Sequence, residues 1–416
     1  MARVLISKYP VANVRPPAGQ VTATGSEIIY LSAYDRIFAG PVTAFFVFKN
    51  PIRDPAESVR RGLSRALVHY YPMAGRLVVA GAGAGEEEVV IQCTGEGVPF
   101  VAASADCAIK DVPELCDPPV QEELALYPPS CSHSEPLMFM QVTVFSCGGF
   151  IVGITWNHLL CDGAGLVQFF QAVGELARGL KSPSVVPVRQ AADCLELGLP
   201  PFSTKFMQFV ATLQPSPARA FLNITVPSTF INHIKHMFSA SQGRPCSVFE
   251  VVAAVLWRCR TRAILSDQGA LVALFFMANA RKYARAREGF YGNCVTIHLV
   301  TATSGMVANG NIMDIVKMIQ RAKNEVVPDQ PNMDELQQRL LGYNLLGLSS
   351  WRNFGVGFDF GAGGPARLMS YEQERAGLPF CAVCLPCEDD HNVMARCVME
   401  EHANAFLQEI LNIQLI

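Results

Sequence analysis

The chain has 416 residues, 50% of them hydrophobic and 17% charged, with a formal net charge of −3. That length exceeds what one hydrophobic core ordinarily supports, so two domains are expected, and the composition is that of a packed globular protein, not a disordered or fibrous one. The slightly acidic balance gives no reason to expect nucleic acid or an anionic membrane surface as partner, so any basic group facing a phosphate must be local.

In chain order, Met1–Pro17 is broken by Pro10, Pro16 and Pro17 and lacks the apolar core of a secretory signal. No apolar run reaches the roughly 18 residues that would span a bilayer, and Asn412–Ile416 is neither a peroxisomal nor a lipidation signal. A cytoplasmic monomer without a membrane partner is expected. Gly81–Glu88 reads as a loop. Leu137–Phe145 and Phe150–Trp156 read as apolar strands joined at Gly148-Gly149. Leu166, Phe169, Phe170, Val173 and Leu176 then recur at helical spacing, giving a helix that ends near Gly179. Pro183, Pro187, Pro200 and Pro201 mark an aperiodic stretch. We read 181–204 as a crossover between an N-terminal domain, 1–180, and a C-terminal domain, 205–416. Farther on, Ser247–Arg260 reads as a helix, Ala270–Met277 as a strand, Ile312–Asn324 as a helix and Gly361–Pro365 as a second loop. No repeat of solenoid period is present, and the class is mixed α and β.

The chain holds 14 cysteines, and those at Cys147, Cys161, Cys259, Cys294 and Cys397 lie in apolar segments, where a reduced thiol behaves as a small hydrophobe. Cys381-x-x-Cys384-x-x-Cys387 has no matching second pair, and His233 with His236 has no third ligand, so no metal is expected. Gly174–Ser182 resembles a phosphate loop, but Leu180 stands where the pattern needs Gly followed by Lys. There is no Gly-x-Ser-x-Gly elbow and no His-Glu-x-x-His helix, and Gly355, Gly357 and Gly361 do not fit a dinucleotide fingerprint.

What remains is Trp156-Asn157-His158-Leu159-Leu160-Cys161-Asp162-Gly163. An apolar strand ends at His158, a sharp turn follows, and a helix begins. A histidine at a strand mouth titrates near neutrality and can take a proton from a hydroxyl or an amine. Asp162 can cap the helix or pair with an arginine. The plainer alternative is a strand-end histidine in a polar turn whose aspartate merely caps the helix.

His158-x-x-x-Asp162-Gly163 and Asp359-Phe360-Gly361-Ala362-Gly363 resemble the two signatures of the BAHD family, plant acyl-CoA-dependent acyltransferases related in fold to chloramphenicol acetyltransferase. Leu31-Ser32 with Asp35, Tyr71-Pro72-Met73-Ala74-Gly75-Arg76-Leu77, the Ser247–Arg260 helix with Trp257-Arg258, and Asn279-Ala280-Arg281 ahead of Tyr291-Gly292-Asn293-Cys294 match in the family's order and span nearly the whole chain. Ala362 departs from the family's usual Trp, and Trp351–Phe360 is irregular for the family. Gly163–Pro187 most resembles the branch of benzyl alcohol and tryptamine benzoyltransferases.

The resemblance implies an α/β protein of two chloramphenicol-acetyltransferase-like domains with a solvent channel between them. It implies that His158 is the general base, that acyl-CoA is a co-substrate with no permanently bound cofactor, and that the acyl group passes directly to a small alcohol or amine. It also implies that Asp162 pairs with Arg281 and points away from substrate, that Asp359 is structural, and that Ser247, Phe360 and Gly361 match the coenzyme A side. Cys161 is expected to be packing, since direct transfer needs no acyl-enzyme. Thr43, Phe45 and Phe46 align loosely with the acceptor wall, though the same residues read equally well as an ordinary strand with its apolar face in the core. If Val42–Phe48 lines that wall, its apolar character favours neutral alcohols or arylalkylamines over shikimate or quinate. Branch resemblance favours a benzoyl or hydroxycinnamoyl donor. A non-catalytic acyl-CoA-binding relative and a thioesterase-like hydrolase are the alternatives.

Overall fold

The computed structural model describes residues 4–19, 27–37, 39–80, 88–112, 115, 118–127, 135–190, 196, 198–213, 219–265, 267–324, 336, 338–340, 342–352, 358–371, 378–384 and 391–413. Gly81–Glu87, Gly355, Gly357 and Cys387, noted above, lie outside the described residues. The strands are β1 (Ile6–Lys8), β2 (Ala12–Val14), β3 (Ile28–Tyr30), β4 (Pro41–Phe48), β5 (Arg76–Ala80), β6 (Glu88–Gln92), β7 (Val98–Ala105), β8 (Met138–Phe145), β9 (Phe150–Asn157), β10 (Leu222–Val226), β11 (Leu271–Asn279), β12 (Val295–Thr303), β13 (Leu345–Ser350), β14 (Arg367–Tyr371), β15 (Phe380–Val383) and β16 (His391–Arg396). The helices are α1 (Pro55–His69), α2 (Pro118–Glu123), α3 (Gly163–Ala177), α4 (Pro201–Thr212), α5 (Ser228–Gln242), α6 (Val248–Ile264), α7 (Ser304–Asn309), α8 (Ile312–Asn324) and α9 (Glu400–Ile413).

Two compact units result. The first joins Met1–Gly198 to Arg281–Cys294 and Asn353–Tyr371, and the second takes Leu199–Ala280, Val295–Arg352 and Glu372–Ile416. These units differ from a simple division at 181–204, because two later segments return to the first. One is β14, which pairs antiparallel with β4 and fills that strand's second edge. The crossover itself is partly docked: Val188 bridges Phe290 in parallel, its N–H bonding Gly289 O at 2.9 Å while its carbonyl accepts from Tyr291 N at 3.0 Å. The end of the crossover stretch is already helical, since α4 starts at Pro201.

The first unit's main sheet runs β1-β7-β8-β9-β4-β14, with β2 also on β7. The β8–β9 turn closes as expected, with Gly148 at φ +80°, a left-handed position that glycine takes without strain. Helix α3 starts at an N-cap aspartate, buries Leu166, Phe169, Phe170, Val173 and Leu176, and is followed by Gly179 at φ +99°. Phe46 meets Phe170 and Phe358 at 5.0 Å each, so α3 covers that face of β4. Helix α1 lies against α3, and their backbones approach closely at Gly62: a Cβ there would sit 2.4 Å from Val173 O.

In the second unit a sheet of order β10-β16-β15-β13-β11-β12 packs on α6, whose Val251–Trp257 run is wholly buried. A capping box of Ser247 and Glu250 starts α6. The expected helix at Ile312–Asn324 is present with those bounds, and the expected strand 270–277 runs Leu271–Asn279.

The α1–α3 contact fixes the helix that follows His158. Gly62→Ala should push α1 off the Val173 carbonyl and destabilise the first unit by about 1–3 kcal/mol. A lowered urea midpoint is expected, whereas an unchanged midpoint would show that the two helices have room to spare.

Candidate active site

His158 stands one residue beyond the end of β9, and its N–H bonds Gly40 O at 2.8 Å. The chain turns at once, because Asn157 O accepts from Leu160 N at 3.0 Å and Asn157 Oδ1 accepts from Leu159 N at 3.0 Å. Buried Trp156 donates Nε1–H to Cys161 O at 3.1 Å, and its ring lies 6.3 Å from the imidazole at 29°. His158 keeps part of its surface open although protein atoms crowd it. Burial pushes its pKa below the ordinary imidazole value; Asp162, its own backbone carbonyl, Asn293 and Asp35 act in the other direction without overcoming it. The imidazole is therefore neutral at pH 7 and able to accept a proton from a hydroxyl or amine.

Asp162 does both things the sequence allowed. As N-cap of α3 it accepts from Gly165 N at 2.9 Å, and it pairs bidentately with Arg281, Nη1 to Oδ2 at 2.8 Å and Nη2 to Oδ1 at 2.9 Å. Cys294 N adds a fourth bond, to Oδ2 at 2.9 Å. Arg281 also donates to the carbonyls of Phe290 and Gly292, at 3.2 and 2.8 Å. Burial alone would raise the Asp162 pKa, but the Arg281 charge and these hydrogen bonds outweigh it and hold the carboxyl below its usual range. With its oxygens bonded to backbone and guanidinium, Asp162 holds the turn. Gly165 is required here, since a Cβ would meet Tyr291 O at 1.9 Å.

A second ion pair escaped the sequence reading. Arg189, in the supposed crossover, is 5% exposed and bonds Asp35, itself fully buried, Nη2 to Oδ1 at 3.1 Å and Nη1 to Oδ2 at 3.4 Å. A lone arginine in a proline-marked stretch gives no periodic signal, and only the fold reveals its partner. In the sequence, Asp35 and Asn293 stand out only as parts of family-like motifs.

The remaining expected residues are dispersed. Asp359 accepts from Gly361 N and lies 3.4 Å from Arg178 Nη1, so it supports its own loop, in which Gly361 and Gly363 take φ +117° and +92°. Ala362, in place of the family's Trp, lends its carbonyl to Asn50 Nδ2 at 2.9 Å. Phe360 is 6% exposed and packs among Phe48, Phe150 and Phe358, so its side chain belongs to the core. Ser247 spends its hydroxyl on capping Glu250 N at 3.3 Å, in the second unit. Of the expected acceptor wall, Phe46 is a correction: at 1% exposure between sheet and α3 it is core. Phe45 is also fully buried, and Thr43, on the same face as Phe45, bonds the Thr155 hydroxyl at 2.9 Å. Cys161 is buried, and burial pushes its thiol pKa well up, which keeps it protonated and unreactive. Among the described residues no cluster of three or more metal-ligating side chains occurs, and no helix is long and apolar enough to cross a membrane.

A family model described as the Transferase family matches residues 18–411. Acyl transferase 15 of Oryza sativa subsp. japonica is 41% identical, with 99% of each chain covered. Myricetin 3-O-glucosyl 1,2-rhamnoside 6'-O-caffeoyltransferase AT2 of Crocosmia x crocosmiiflora is 34% identical over 86% of this chain and 87% of its own. The 3'-N-debenzoyl-2'-deoxytaxol N-benzoyltransferase of Taxus canadensis is 31% identical over 91% and 88%. Among solved structures, vinorine synthase superposes with a TM-score of 0.75 at 19% identity, covering 98% of both chains. F. sporotrichioides TRI101, complexed with coenzyme A and T-2, gives 0.65 at 15% identity over 90% of this chain and 96% of its own. At these identities both show the shared fold.

The Asp162 pair yields a stability prediction. Asp162→Ala leaves the Arg281 charge uncompensated and should cost about 3–5 kcal/mol at pH 7. Because the folded carboxyl is held below its unfolded value of roughly 3.9, this stabilisation is present above that pH and lost as pH falls through the lower folded value. Denaturation of both proteins from pH 7 to 3 should show the gap narrowing only below about pH 4. A gap that is absent at pH 7 would remove the pair from the stability of this site.

Proposed function

The chain belongs to the BAHD transferase family and is an acyltransferase, and on that premise we propose that His158 is the general base of acyl transfer from coenzyme A to a small acceptor. The observation that carries this is the division of roles at the turn: the imidazole is kept neutral by burial, while the four bonds of Asp162 described above go to Arg281 or to backbone. His158 takes the proton of the acceptor hydroxyl or amine, the oxygen or nitrogen attacks the thioester carbonyl, and the thiolate of coenzyme A leaves with a proton returned from the imidazolium. Direct transfer needs no thiol nucleophile, which agrees with the buried, protonated Cys161.

The coenzyme A complex of F. sporotrichioides TRI101, a structural neighbour, supports acyl-CoA as co-substrate. For donor and acceptor the relatives' names give the support: one is a caffeoyltransferase acting on oxygen and another an N-benzoyltransferase. We assign an aromatic acyl donor, benzoyl or hydroxycinnamoyl, and a small alcohol or amine acceptor, handled by a cytoplasmic monomer. The case for a neutral acceptor built on Val42–Phe48 weakens with Phe46 in the core. Named relatives that are transferases do not favour a hydrolase or a non-catalytic binder.

His158→Ala should fold normally and lose about 10²- to 10⁴-fold in kcat. Activity within a few-fold of wild type, with unchanged circular dichroism, would remove His158 from the mechanism. Burial also sets the pH profile: kcat/KM should fall only below the ordinary imidazole value of about 6.5. An acid limb above that value would contradict a depressed imidazole. A matrix of aromatic and acetyl donors against alcohols and amines, read by free thiol and product mass, tests the substrate class. Preference for acetyl-CoA with every acceptor would overturn the aromatic assignment, and thiol release without acceptor would indicate hydrolysis.

A further inference from the structure

We infer that Arg189 is a positioning residue for His158, fixing the direction of the His158 backbone carbonyl through the Leu159 and Leu160 carbonyls and through Asp35 and Asn293. The inference rests on the reading of His158 as base. Arg189 Nε donates to Leu160 O at 3.0 Å and Nη2 donates to Leu159 O at 3.0 Å, so one guanidinium grips both peptides that follow the histidine. The same group pairs with Asp35, whose other bonds come from Ser32 N and Oγ, each at 2.8 Å, and from Asn293 N and Nδ2 at 3.2 and 2.9 Å. Asn293 Nδ2 in turn donates to His158 O at 2.8 Å.

Each link in this chain is buried and directional. Asp35, Arg189 and Asn293 are all at most 5% exposed, so water competes little for their bonds. An arginine bound bidentately to a carboxylate holds its plane, and a lysine would not reproduce the grip on two carbonyls. The His158 carbonyl is one of the groups that act on its own imidazole, as are Asn293 and Asp35. Fixing that carbonyl therefore fixes the backbone from which the imidazole projects, and with it the direction in which the ring meets substrate. The charged groups facing His158 are Asp162 and Asp35, each tied to its own arginine. Asp162–Arg281 fixes the far end of the turn, at the start of α3, and Asp35–Arg189 fixes the near end, at His158 itself.

The test uses the double variant Asp35→Asn/Arg189→Gln, which removes both charges and so buries neither alone. Its kcat should fall about 10- to 100-fold, the usual size for loss of an orienting partner, with KM changed less than about threefold. Asn293→Ala, which cuts the link to His158 O and leaves the ion pair, should show the same split between kcat and KM. It should also move the acid limb of kcat/KM to lower pH, because Asn293 favours the protonated imidazole. Should the double variant fail to fold, Asn293→Ala decides alone. Folded variants with kcat within twofold of wild type and an unmoved acid limb would make Arg189 purely structural. His158→Ala in the same assay separates the two readings. If it stays active, the base assignment fails; if it is inactive while both clamp variants turn over normally, only the positioning inference fails.

Discussion

Two arginine–carboxylate pairs beside the turn Asn157–Asp162, one fully buried and one with its arginine partly exposed, constrain the rest of the site. Taking such charges out of water is costly, and the cost is recovered only when every lone pair and N–H finds a partner in good geometry. The chain supplies partners for these groups by bringing four separate segments together: Ser32–Asp35, the turn itself, Arg189, and Arg281–Cys294. Because an apolar replacement of a buried pair often costs nothing, the value of these pairs lies in geometry. They leave the backbone around His158 very few alternatives.

That rigidity explains the division of labour among acidic residues. Asp35, Asp162 and Asp359 each accept from a backbone N–H within three residues of their own position, and each also lies against an arginine. They act as local braces. The histidine is left as the neutral group, its pKa lowered by burial. A neutral imidazole of this kind suits the proposed reaction, in which the acceptor itself is the nucleophile.

The same packing decides which parts of strand β4 are available. Thr43 and Phe45 lie on one face, Phe46 and Phe48 on the other, by the two-residue alternation of a strand. Alternation reveals that two faces exist but not which is covered. The cover comes from α3 through Phe170 and from Phe358 and Phe360, residues far along the chain. Phe48 stacks on Phe150 at 4.6 Å within the same layer. The loop carrying Asp359 is thus tied to the core by its aromatic neighbours, and Gly174 lets it approach α3, where a Cβ would lie 2.5 Å from Asp359 O.

The sequence by itself determined the elements around the site, because their signals are local. The apolar run of β9, the Asp162 cap and the helical spacing of Leu166–Leu176 need only neighbouring residues to act. Ordered motifs likewise placed His158 and Asp162 in their family. Only the tertiary structure decided that Arg189 pairs with Asp35 across 154 positions, that Asn293 reaches His158 O across 135, and that β14 closes on β4. It also decided that Phe46 is core. The physical reason is common to all four. A side chain's partner at long range depends on which surfaces the folded backbone brings together, and no local pattern of hydrophobicity or charge records that choice.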